Sequence, residues 1–558
     1  MIGIYGCAST FHSALEAMPQ VGDGLKIANA EECLSMVMGL VAGKGTDGFL
    51  ASRDGMHAAV SGDFLGADSK SVAAACLEAF KSGKLKEHLS TLEFEISLVI
   101  CDPANGIVIL ANDRFGFAPL FLLHSSGFLA WAPALHMLMS IPGQPLTIDI
   151  AAAEDFLSNG HMIGNRSWFN EISCLPPATL AYFDTRNGRF QQERYWSWSE
   201  IGGSEISFDE AAKHLGELLH KSVKKRYREG TGVSLSGGLD SRMMVAAVRE
   251  IDPGYSGFSY TFGNGECFDV KIARQVADTA GWRHKVFAFN DHQWLRKRLD
   301  KIRHFDGMCS VKHMHDLEFN EIVSSEMDRN LNGFLGDAVA GGSYLERVPE
   351  LDSRIDFDTA RSIYGRNVSR EYVEDPYFNA PHADVFLFAN RGRRFINYGM
   401  SAALSQLGQA RPFFDVELVS FLMSLPDSFR QDNRLYGTAL VRRYPDFFRT
   451  IPWQKTGLPV GQGTKPSLGD RLKRKLKTLA GIPTPTQGFV HYDEWIRTSA
   501  SQEIIRDLLC GSTPKLASFV DPDVLSSIVD EHMSGAVTHD EQILRWVTAE
   551  TFFQQMQT

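Results

Sequence analysis

The residues of this chain best suited to chemistry lie in residues 233–241, which read Val-Ser-Leu-Ser-Gly-Gly-Leu-Asp-Ser. Residues 232–235 have the apolar character of a buried strand, and an apolar helical pattern starts at Met243. A strand, a glycine turn and a helix N-terminus together bind phosphate. The glycines let backbone N–H groups approach the anion, and the helix dipole favours negative charge. The pattern therefore predicts a phosphate-binding loop at residues 236–241.

Asp240 is the one acidic residue of this loop, and its negative charge would repel a phosphate. We predict that its carboxylate instead binds a magnesium ion, which attracts the phosphate, because magnesium prefers oxygen ligands and is often bound together with phosphates. The loop is not a Walker A loop, since no Gly-Lys-[Ser/Thr] follows, and its spacing is not that of a dinucleotide fingerprint.

Two later segments supply further groups for phosphate chemistry. Asp337 stands in a glycine-rich stretch, residues 333–342, about a hundred residues after Asp240. Two carboxylates that converge on one pyrophosphate would share magnesium ions. Lys455 stands among prolines, a glycine and a tryptophan in residues 451–459. Its cation is predicted to stabilise charge on a transferred phosphoryl group or on the oxyanion of acyl transfer.

The first 190 residues or so have the pattern of an α+β sandwich. Helical patterns cover residues 30–41 and 71–82, and glycine and aspartate turns separate short apolar runs. These runs, each predicted to be a strand, are residues 48–51, 58–60, 97–101, 107–111 and 120–123. A polar stretch, residues 198–207, is predicted to be a linker, so that the first domain spans residues 1–200.

The second predicted domain, residues 205–558, alternates strands with helices. An amphipathic helix is predicted at residues 208–228, and strands at residues 255–262 and 285–289 follow the first loop. This alternation indicates a doubly wound parallel sheet, whose ligand lies beyond the carboxyl ends of the strands. From about residue 355 the chain is predicted to be largely helical. There, residues 411–419 are expected to pack aromatic side chains rather than to take part in chemistry.

Composition excludes several classes of protein. The net charge of −11 and the pI near 5.9 disfavour nonspecific nucleic-acid binding. A local basic run, residues 471–477, is either a solvated amphipathic helix or a docking site for an acidic partner. No signal peptide or run of eighteen apolar residues is present, which predicts a cytoplasmic protein without a membrane span. The eight scattered cysteines form no C-x-x-C pair, so we expect reduced thiols and no zinc site.

Taken in order, these motifs resemble the asparagine synthetase B superfamily over nearly the whole chain. The hexapeptide Ser-Gly-Gly-Leu-Asp-Ser resembles the pyrophosphate loop of ATP-pyrophosphatases that adenylate a carbonyl oxygen. The other matching segments are residues 113–120, the turn Leu175-Pro176-Pro177, the pair Tyr195-Trp196, Asp337 with Gly341-Gly342, residues 412–415, and Lys455.

The resemblance implies both a fold and a set of site residues. The fold class is α/β: an N-terminal α+β sandwich similar to the Ntn hydrolases, then a doubly wound parallel-sheet ATP-pyrophosphatase domain with helical additions. The implied cofactors are ATP and Mg²⁺, with Asp240 and Asp337 as metal ligands and, with Lys455, as catalytic residues. The nucleotide is expected to contact Leu235, Ser236, Gly237, Gly238, Leu239, Asp240, Ser241, Thr261, Phe262, Gly263 and Gly333, with adenine near Thr261, Phe262 and Gly263.

Departures from the family pattern indicate an inactive glutaminase domain. Glutamine-hydrolysing members begin Met-Cys, and that cysteine becomes the N-terminal nucleophile, whereas residue 2 here is Ile2. Cys7 cannot replace it without processing, because the mechanism uses the nucleophile's own α-amine as base. Ser61-Gly62-Asp63 stands where a glutamine-binding Asn-Gly-Glu would be. In the second domain, Phe334 and Ala338 replace two acids that flank the magnesium aspartate.

An ATP-dependent ligase without its own ammonia supply needs another amine. The resemblance favours an AMP-forming ligase that makes a macrolactam, as lasso-peptide cyclases do, acting on a peptide or small-molecule substrate. A precursor peptide with a partner protease would then be expected, and neither nucleic acid nor membrane. Three alternatives stay open: an asparagine-synthetase-like amidotransferase acting on an amino acid or a polysaccharide-linked substrate, a β-lactam-type synthetase, and a noncatalytic nucleotide-binding protein.

Overall fold

The computed structural model describes residues 3–9, 26–33, 36–42, 47–263, 267–288, 293–461, 490–511 and 513–556. The basic run at residues 471–477 and residue Ile2 lie outside these ranges. Within them, no helix is both long and apolar enough to cross a membrane. Cys510 is a partly exposed thiol, and the following cysteines are buried: Cys7, Cys76, Cys101, Cys174, Cys267 and Cys309.

Two six-stranded antiparallel sheets form the N-terminal half. Their strand orders are β10-β8-β9-β1-β3-β2 and β12-β11-β7-β6-β5-β4. The strands are β1 (Gly3–Ser9), β2 (Lys26–Cys33), β3 (Met36–Ala42), β4 (Asp47–Arg53), β5 (Met56–Asp63), β6 (Glu95–Asp102), β7 (Ile107–Asn112), β8 (Phe121–Ser125), β9 (Phe128–Ala132), β10 (Ile172–Cys174), β11 (Thr179–Asp184) and β12 (Arg189–Arg194). All five predicted apolar runs are strands here.

The two sheets pack face to face, with helices on the outside, as the alternation of strands and helices predicts. An apolar core that includes Leu40, Val99 and Trp131 fills the space between the sheets. Because burying this apolar surface is the main favourable term in folding, the core holds the sandwich together. The helices of this half are α1 (Ser69–Lys81), α2 (Leu85–Thr91), α3 (Leu135–Met139) and α4 (Ile150–Asn159).

The helix predicted at residues 30–41 is wrong, because this stretch contributes to β2 and β3 instead. Strand β3 lies between β1 and β2 in its sheet, and its residues 36–40 are all buried. A strand covered on both faces has a continuous apolar run, which periodicity alone cannot distinguish from a buried helix. By contrast, the helix predicted at residues 71–82 is confirmed by α1.

The second half is built around a five-stranded parallel sheet of order β15-β14-β13-β16-β17. Its strands are β13 (Thr231–Ser234), β14 (Phe258–Gly263), β15 (Arg283–Ala288), β16 (Arg329–Leu331) and β17 (Gly408–Ala410). From β13 the chain first adds β14 and β15 on one side and then β16 and β17 on the other. This reversal creates a crevice at the carboxyl ends of β13 and β16, which is where ligands bind in open α/β sheets.

Helices cover this sheet and continue to the end of the described chain. They are α5 (Phe208–Arg226), α6 (Leu239–Ile251), α7 (Phe268–Ala280), α8 (Trp294–Leu299), α9 (Asn320–Glu326), α10 (Gly336–Val339), α11 (Phe357–Tyr364), α12 (Arg370–Val373), α13 (Asp384–Leu387), α14 (Tyr398–Ala403), α15 (Val416–Leu422), α16 (Asp427–Arg430), α17 (Arg434–Arg443) and α18 (Pro445–Phe448). Four more follow at Tyr492–Trp495, Ser499–Leu509, Pro522–Met533 and Asp540–Gln555. A π-helical stretch, Phe388–Asn397, joins α13 to α14. The α/β fold class is thus confirmed, whereas the exact domain limits stay a prediction.

Candidate active site

The loop after β13 is folded by its own two serines. The backbone N–H of Ser236 donates to Ser241 Oγ over 3.0 Å, and the two hydroxyl oxygens are 2.9 Å apart. The backbone N–H of Gly238 donates to Ser236 Oγ over 3.2 Å. Both hydroxyls are thereby held at the N-terminus of α6, where the helix dipole favours an anion.

Asp269, which sequence reasoning missed, fixes the middle of this loop from α7. Its carboxylate accepts a 2.6 Å hydrogen bond from the backbone N–H of Gly237. A Cβ atom at residue 237 would lie 2.8 Å from the same Oδ1, closer than carbon and oxygen tolerate. The loop therefore needs glycine at this position for a close approach rather than for a positive φ angle.

Asp240 and Asp337 are brought together, although about a hundred residues separate them. The backbone N–H of Asp337 donates to Asp240 Oδ2 over 3.0 Å, and the hydroxyl of Tyr436, a second residue missed from the sequence, donates to Oδ1 over 3.0 Å. Burial, followed by the nearby Asp337 charge, raises the pKa of Asp240 to about 8. Two carboxylates that repel each other here are a donor set suited to a divalent cation.

Two glycines allow this approach of the β16 loop to α6. A Cβ atom on Gly333 would lie 2.9 Å from Asp240 Cβ, and one on Gly336 would lie 2.6 Å from Asp240 Cγ. Any larger side chain would push the two carboxylates apart. The glycine-rich composition of residues 333–342 therefore serves close packing of one loop on the other.

A buried arginine attaches the Lys455 segment to the loop. The Arg242 guanidinium donates to the carbonyl oxygens of Pro452 over 2.7 Å, Ile451 over 3.0 Å and Gly237 over 3.2 Å. Lys455 itself is exposed, with Nζ 5.5 Å from the Trp453 ring centre, and its charge acts to lower the pKa of Asp240. Lys455 is thus electrostatically coupled to the carboxylate pair from the solvent side.

A cavity of about 490 Å³ opens at the carboxyl ends of β13 and β16. Of the predicted nucleotide contacts, Leu235, Ser236, Gly238, Asp240, Ser241, Thr261, Phe262 and Gly333 line it. Gly237, Leu239, Gly263, Asp337 and Lys455 are not among its lining residues. Thr261 also ties the strands together, since its hydroxyl donates to the carbonyl oxygen of Leu235 over 2.5 Å.

The rest of the cavity wall was not predicted from the sequence. It includes His313, His315, Asp316, Arg391 and Phe395. Arg391 and Phe395 belong to the π-helical stretch, a conformation that occurs frequently at functional sites. Asp316 has a left-handed φ of 70°, and burial raises its pKa to about 7. The sequence signal that could have found this wall is the polar cluster Lys-His-Met-His-Asp at residues 312–316.

Each half of the chain is similar to a known protein family. Residues 214–394 match the asparagine synthase family, and residues 67–196 match the glutamine amidotransferase domain family. The chain belongs to the asparagine synthetase superfamily. The two matches lie in the order that the sequence motifs predict.

Individual relatives of this superfamily are distant. The glutamine-hydrolysing asparagine synthetase of Rattus norvegicus is 24% identical over 242 residues, and that of Homo sapiens 25% over 247, each match covering 40% of both chains. A putative asparagine synthetase of Methanocaldococcus jannaschii is 28% identical over 167 residues, or 29% of this chain and 28% of its own. The chain thus spans about two fifths of the length of the curated asparagine synthetases that it matches. A glutamine phosphoribosylpyrophosphate amidotransferase structure from B. subtilis, at 13% identity, aligns with 51% of this chain and 81% of its own, with a TM-score of 0.23, too low to support an inference.

Phe334 and Ala338, where the superfamily pattern has acids, are both buried here. The Phe334 ring packs edge-on against Phe117 of the N-terminal half, with centroids 5.1 Å apart, and lies 5.5 Å from Phe414. Neither position offers a carboxylate to a metal or a substrate. Phe413 and Phe414 are also buried, so residues 411–419 pack as expected.

A second, smaller cavity lies between the two halves. Its volume is about 100 Å³, and Gly3, Ser61 and Gly62 line part of it. Buried arginines of the second half reach into it: Arg329 pairs with Asp63, and Arg411 Nη1 lies 2.5 Å from Glu95 Oε2. Cys7 is fully buried in β1, and burial raises its thiol pKa to about 12.

Proposed function

We propose that this chain is an ATP- and magnesium-dependent carbon–nitrogen ligase. It would adenylate a substrate carboxylate, release pyrophosphate, and then join the acyl group to an amine with loss of AMP. The observation that carries the proposal is the juxtaposition of Ser236, Ser241, Asp240 and Asp337 in the crevice where the strand order reverses. Membership of the asparagine synthetase superfamily supports the same class of reaction.

Different residues of the site would bind the phosphates, bind magnesium and stabilise the transition state. The hydroxyls of Ser236 and Ser241 and the first turn of α6 would hold the phosphates, while Thr261 and Phe262 line the side proposed for adenine. Asp240 and Asp337 would hold magnesium, which when bound supplies positive charge that offsets the pyrophosphate. Lys455 would stabilise the negative charge that develops in the transition state, a contribution that acts on rate more than on binding.

We further propose that the N-terminal half does not hydrolyse glutamine. A nucleophilic cysteine must be accessible as a thiolate, whereas Cys7 is buried with a raised pKa. The cavity between the two halves is about one fifth the size of the nucleotide-side cavity and is crossed by ion pairs. Incubation of the pure protein with glutamine should yield no glutamate. Hydrolysis that disappears in Cys7→Ser would overturn this part of the proposal.

The amine would then come from elsewhere than glutamine. We favour an amine of the same peptide that carries the activated carboxylate, as in lasso-peptide cyclases, with a precursor peptide as substrate and a protease as partner. The similarity to asparagine synthetases supports an amidotransferase as the second candidate, which would use free ammonia. Loss of acids at Phe334 and Ala338 is the observation that would suit a noncatalytic nucleotide-binding protein.

A carboxylate-dependent exchange between ATP and pyrophosphate tests the proposal. The panel consists of L-aspartate, L-glutamate and peptides with a free α-amine and an aspartate or glutamate side chain. Exchange that requires both magnesium and one of these carboxylates is the expected result. Its dependence on a peptide rather than on a free amino acid would separate the cyclase from the amidotransferase.

A further inference from the structure

One histidine of the candidate cavity has the environment of a proton acceptor. His313 lines the same cavity as Ser236 and Asp240, and about a quarter of its side chain is exposed. It is the last residue of a short 3₁₀ turn, Val311–His313, and it faces the C-terminal helix Asp540–Gln555. A partly exposed imidazole in a cavity can exchange protons with a bound molecule.

Glu541 of the C-terminal helix sets the orientation of this imidazole. Its Oε1 lies 2.9 Å from His313 Nε2, so Nε2 carries a proton and donates it to the carboxylate. In the neutral ring the lone pair is then on Nδ1. Two cations hold Glu541 in place: Lys312 Nζ lies 2.8 Å from Oε2, and Arg545 Nη2 lies 3.1 Å from Oε1.

The surroundings of His313 keep the ring fixed. Phe395 of the π-helical stretch packs edge-on against it with centroids 4.8 Å apart, and the His315 ring is 5.8 Å away. The titratable and charged groups that face His313 are therefore Glu541, Lys312, Arg545 and His315. Burial holds the pKa of His315 well below its ordinary value, so that this neighbour adds no charge at neutral pH.

Two acidic groups of the cavity wall, Asp240 and Asp269, are already committed to other contacts. Both oxygens of Asp240 accept hydrogen bonds, from Tyr436 and from the Asp337 backbone, and its proposed role is to hold magnesium. Asp269 accepts a hydrogen bond from the backbone N–H of Gly237. The buried ring of Phe334 leaves no acid at the position where the superfamily pattern has one.

We propose that His313 is the general base of the amide-forming step, with Glu541 as its positioning residue; this inference rests on the proposed ligase function. The amine nitrogen attacks the carbonyl carbon of the acyl adenylate, and a C–N bond forms. The proton leaves the nitrogen for His313 Nδ1, and the C–O bond to AMP breaks with its electron pair going to the departing phosphate oxygen. Adenylation itself needs no proton acceptor, since the substrate carboxylate is already ionised.

The test compares the two half-reactions in full-length His313→Gln, with the same carboxylate panel and with ammonium chloride as the amine. ATP–pyrophosphate exchange should stay within about twofold of the unmodified protein, which also shows that the variant is folded. Amide formation should fall by about 10²-fold or more, the usual contribution of a general base. Glu541→Gln should lower it by about tenfold to a hundredfold, as lost orienting partners do.

A matched control and a second amine make the result specific. His539 and Glu531 form a similar pair, with Nε2 2.9 Å from Oε2, that does not line the cavity, so His539→Gln should change neither half-reaction. Hydroxylamine is a stronger nucleophile that needs less help with its proton, so it should restore most of the product in His313→Gln.

The outcomes separate the inference from the proposed function. Normal amide formation by His313→Gln, in a protein that still exchanges pyrophosphate, would overturn the role of His313 and leave the ligase function standing. Parallel loss of exchange and amide formation would make His313 a structural or substrate-binding residue, which also overturns the inference. Absence of exchange in the unmodified protein with every carboxylate would contradict the ligase function, and the inference with it.

Discussion

At the scale of single residues, Asp240 carries the greatest electrostatic strain in the site. Its carboxylate is buried beside Asp337, and its pKa of about 8 shows that the fold disfavours its ionised form. A residue that costs stability in the folded state is commonly kept for function. A bound cation would relieve this strain, because it reverses the sign of the local field.

Asp240→Asn and Asp337→Asn should each lower turnover by about 10²-fold or more, since each removes a hard oxygen ligand and leaves pyrophosphate charge uncompensated. Asp240→Asn should cost less than about 1 kcal/mol of unfolding free energy at pH 7, because a carboxyl group with a pKa of about 8 is already largely uncharged at this pH, as the amide is. Steady-state kinetics and urea unfolding measure the two effects. Asp446→Asn, on an exposed face, is the control. Near-normal turnover of either variant would remove that residue from the metal site.

Lys455→Ala should lower kcat and kcat/KM together by roughly 10²-fold, because the proposed contact of Lys455 forms with charge that develops in the transition state. ATP affinity should change little. Initial rates at varied ATP concentration measure both parameters, and Lys213→Ala, on an exposed face of α5, is the control. A change confined to KM for ATP would instead make Lys455 a ground-state ligand.

At the scale of elements, the geometry of the site depends on contacts between the start of α6 and the loop that follows β16. Gly333 is the clearest example, because its hydrogen atoms face the backbone and Cβ of Asp240. Arg242 has the same role on the other side, where it ties the Pro452 carbonyl to the loop. Local sequence predicts each loop, but not which neighbour it contacts.

Gly333→Ala should impair catalysis while leaving the fold largely intact. The added methyl would lie 2.9 Å from Asp240 Cβ and 3.0 Å from the Ser241 backbone nitrogen, so the loop must move. We expect a loss of about 1–3 kcal/mol in unfolding free energy, typical of overpacking, and at least a tenfold fall in turnover. Gly202→Ala, with open space around it, is the control. Unchanged turnover would show that the spacing of the two carboxylates is not critical.

A feature of this fold or site can be predicted from the sequence when the residues that form it are close together in the chain. The loop at residues 236–241 and the strand–helix alternation could be predicted, because their signals are contiguous in the chain. The buried strand β3 was mistaken for a helix, since both show an unbroken apolar run. Asp269 and Tyr436 could not be found, because ordinary residues far from the loop in sequence acquire a role only when the tertiary fold brings them to it.

At the scale of the whole molecule, the two halves are joined by buried ion pairs as well as by an aromatic core. Glu95 of β6 pairs with Arg411, which follows β17, yet burial outweighs this attraction and raises the pKa of Glu95 from 4.5 to about 7. Above pH 4.5 the unfolded chain releases this proton, while the folded chain keeps it until about pH 7. Stability from this group is therefore complete below pH 4.5 and is lost as pH rises to about 7.

Glu95→Gln should remove this pH dependence. The difference in unfolding free energy between unmodified protein and variant should fall by on the order of 1 kcal/mol between pH 5 and pH 8. Urea unfolding across this range measures the difference, with exposed Glu87→Gln as the control. A difference that rises with pH would show that Glu95 is ionised in the fold.

The central claim, that this site adenylates a carboxylate, is tested most directly by identifying the nucleotide products. The unmodified protein is incubated with ATP, magnesium, the carboxylate panel and an amine, and the nucleotides are separated by chromatography. We predict AMP and pyrophosphate in equal amounts, formed only when a carboxylate is present and absent in Asp240→Asn. ADP and inorganic phosphate as the main products would contradict the account.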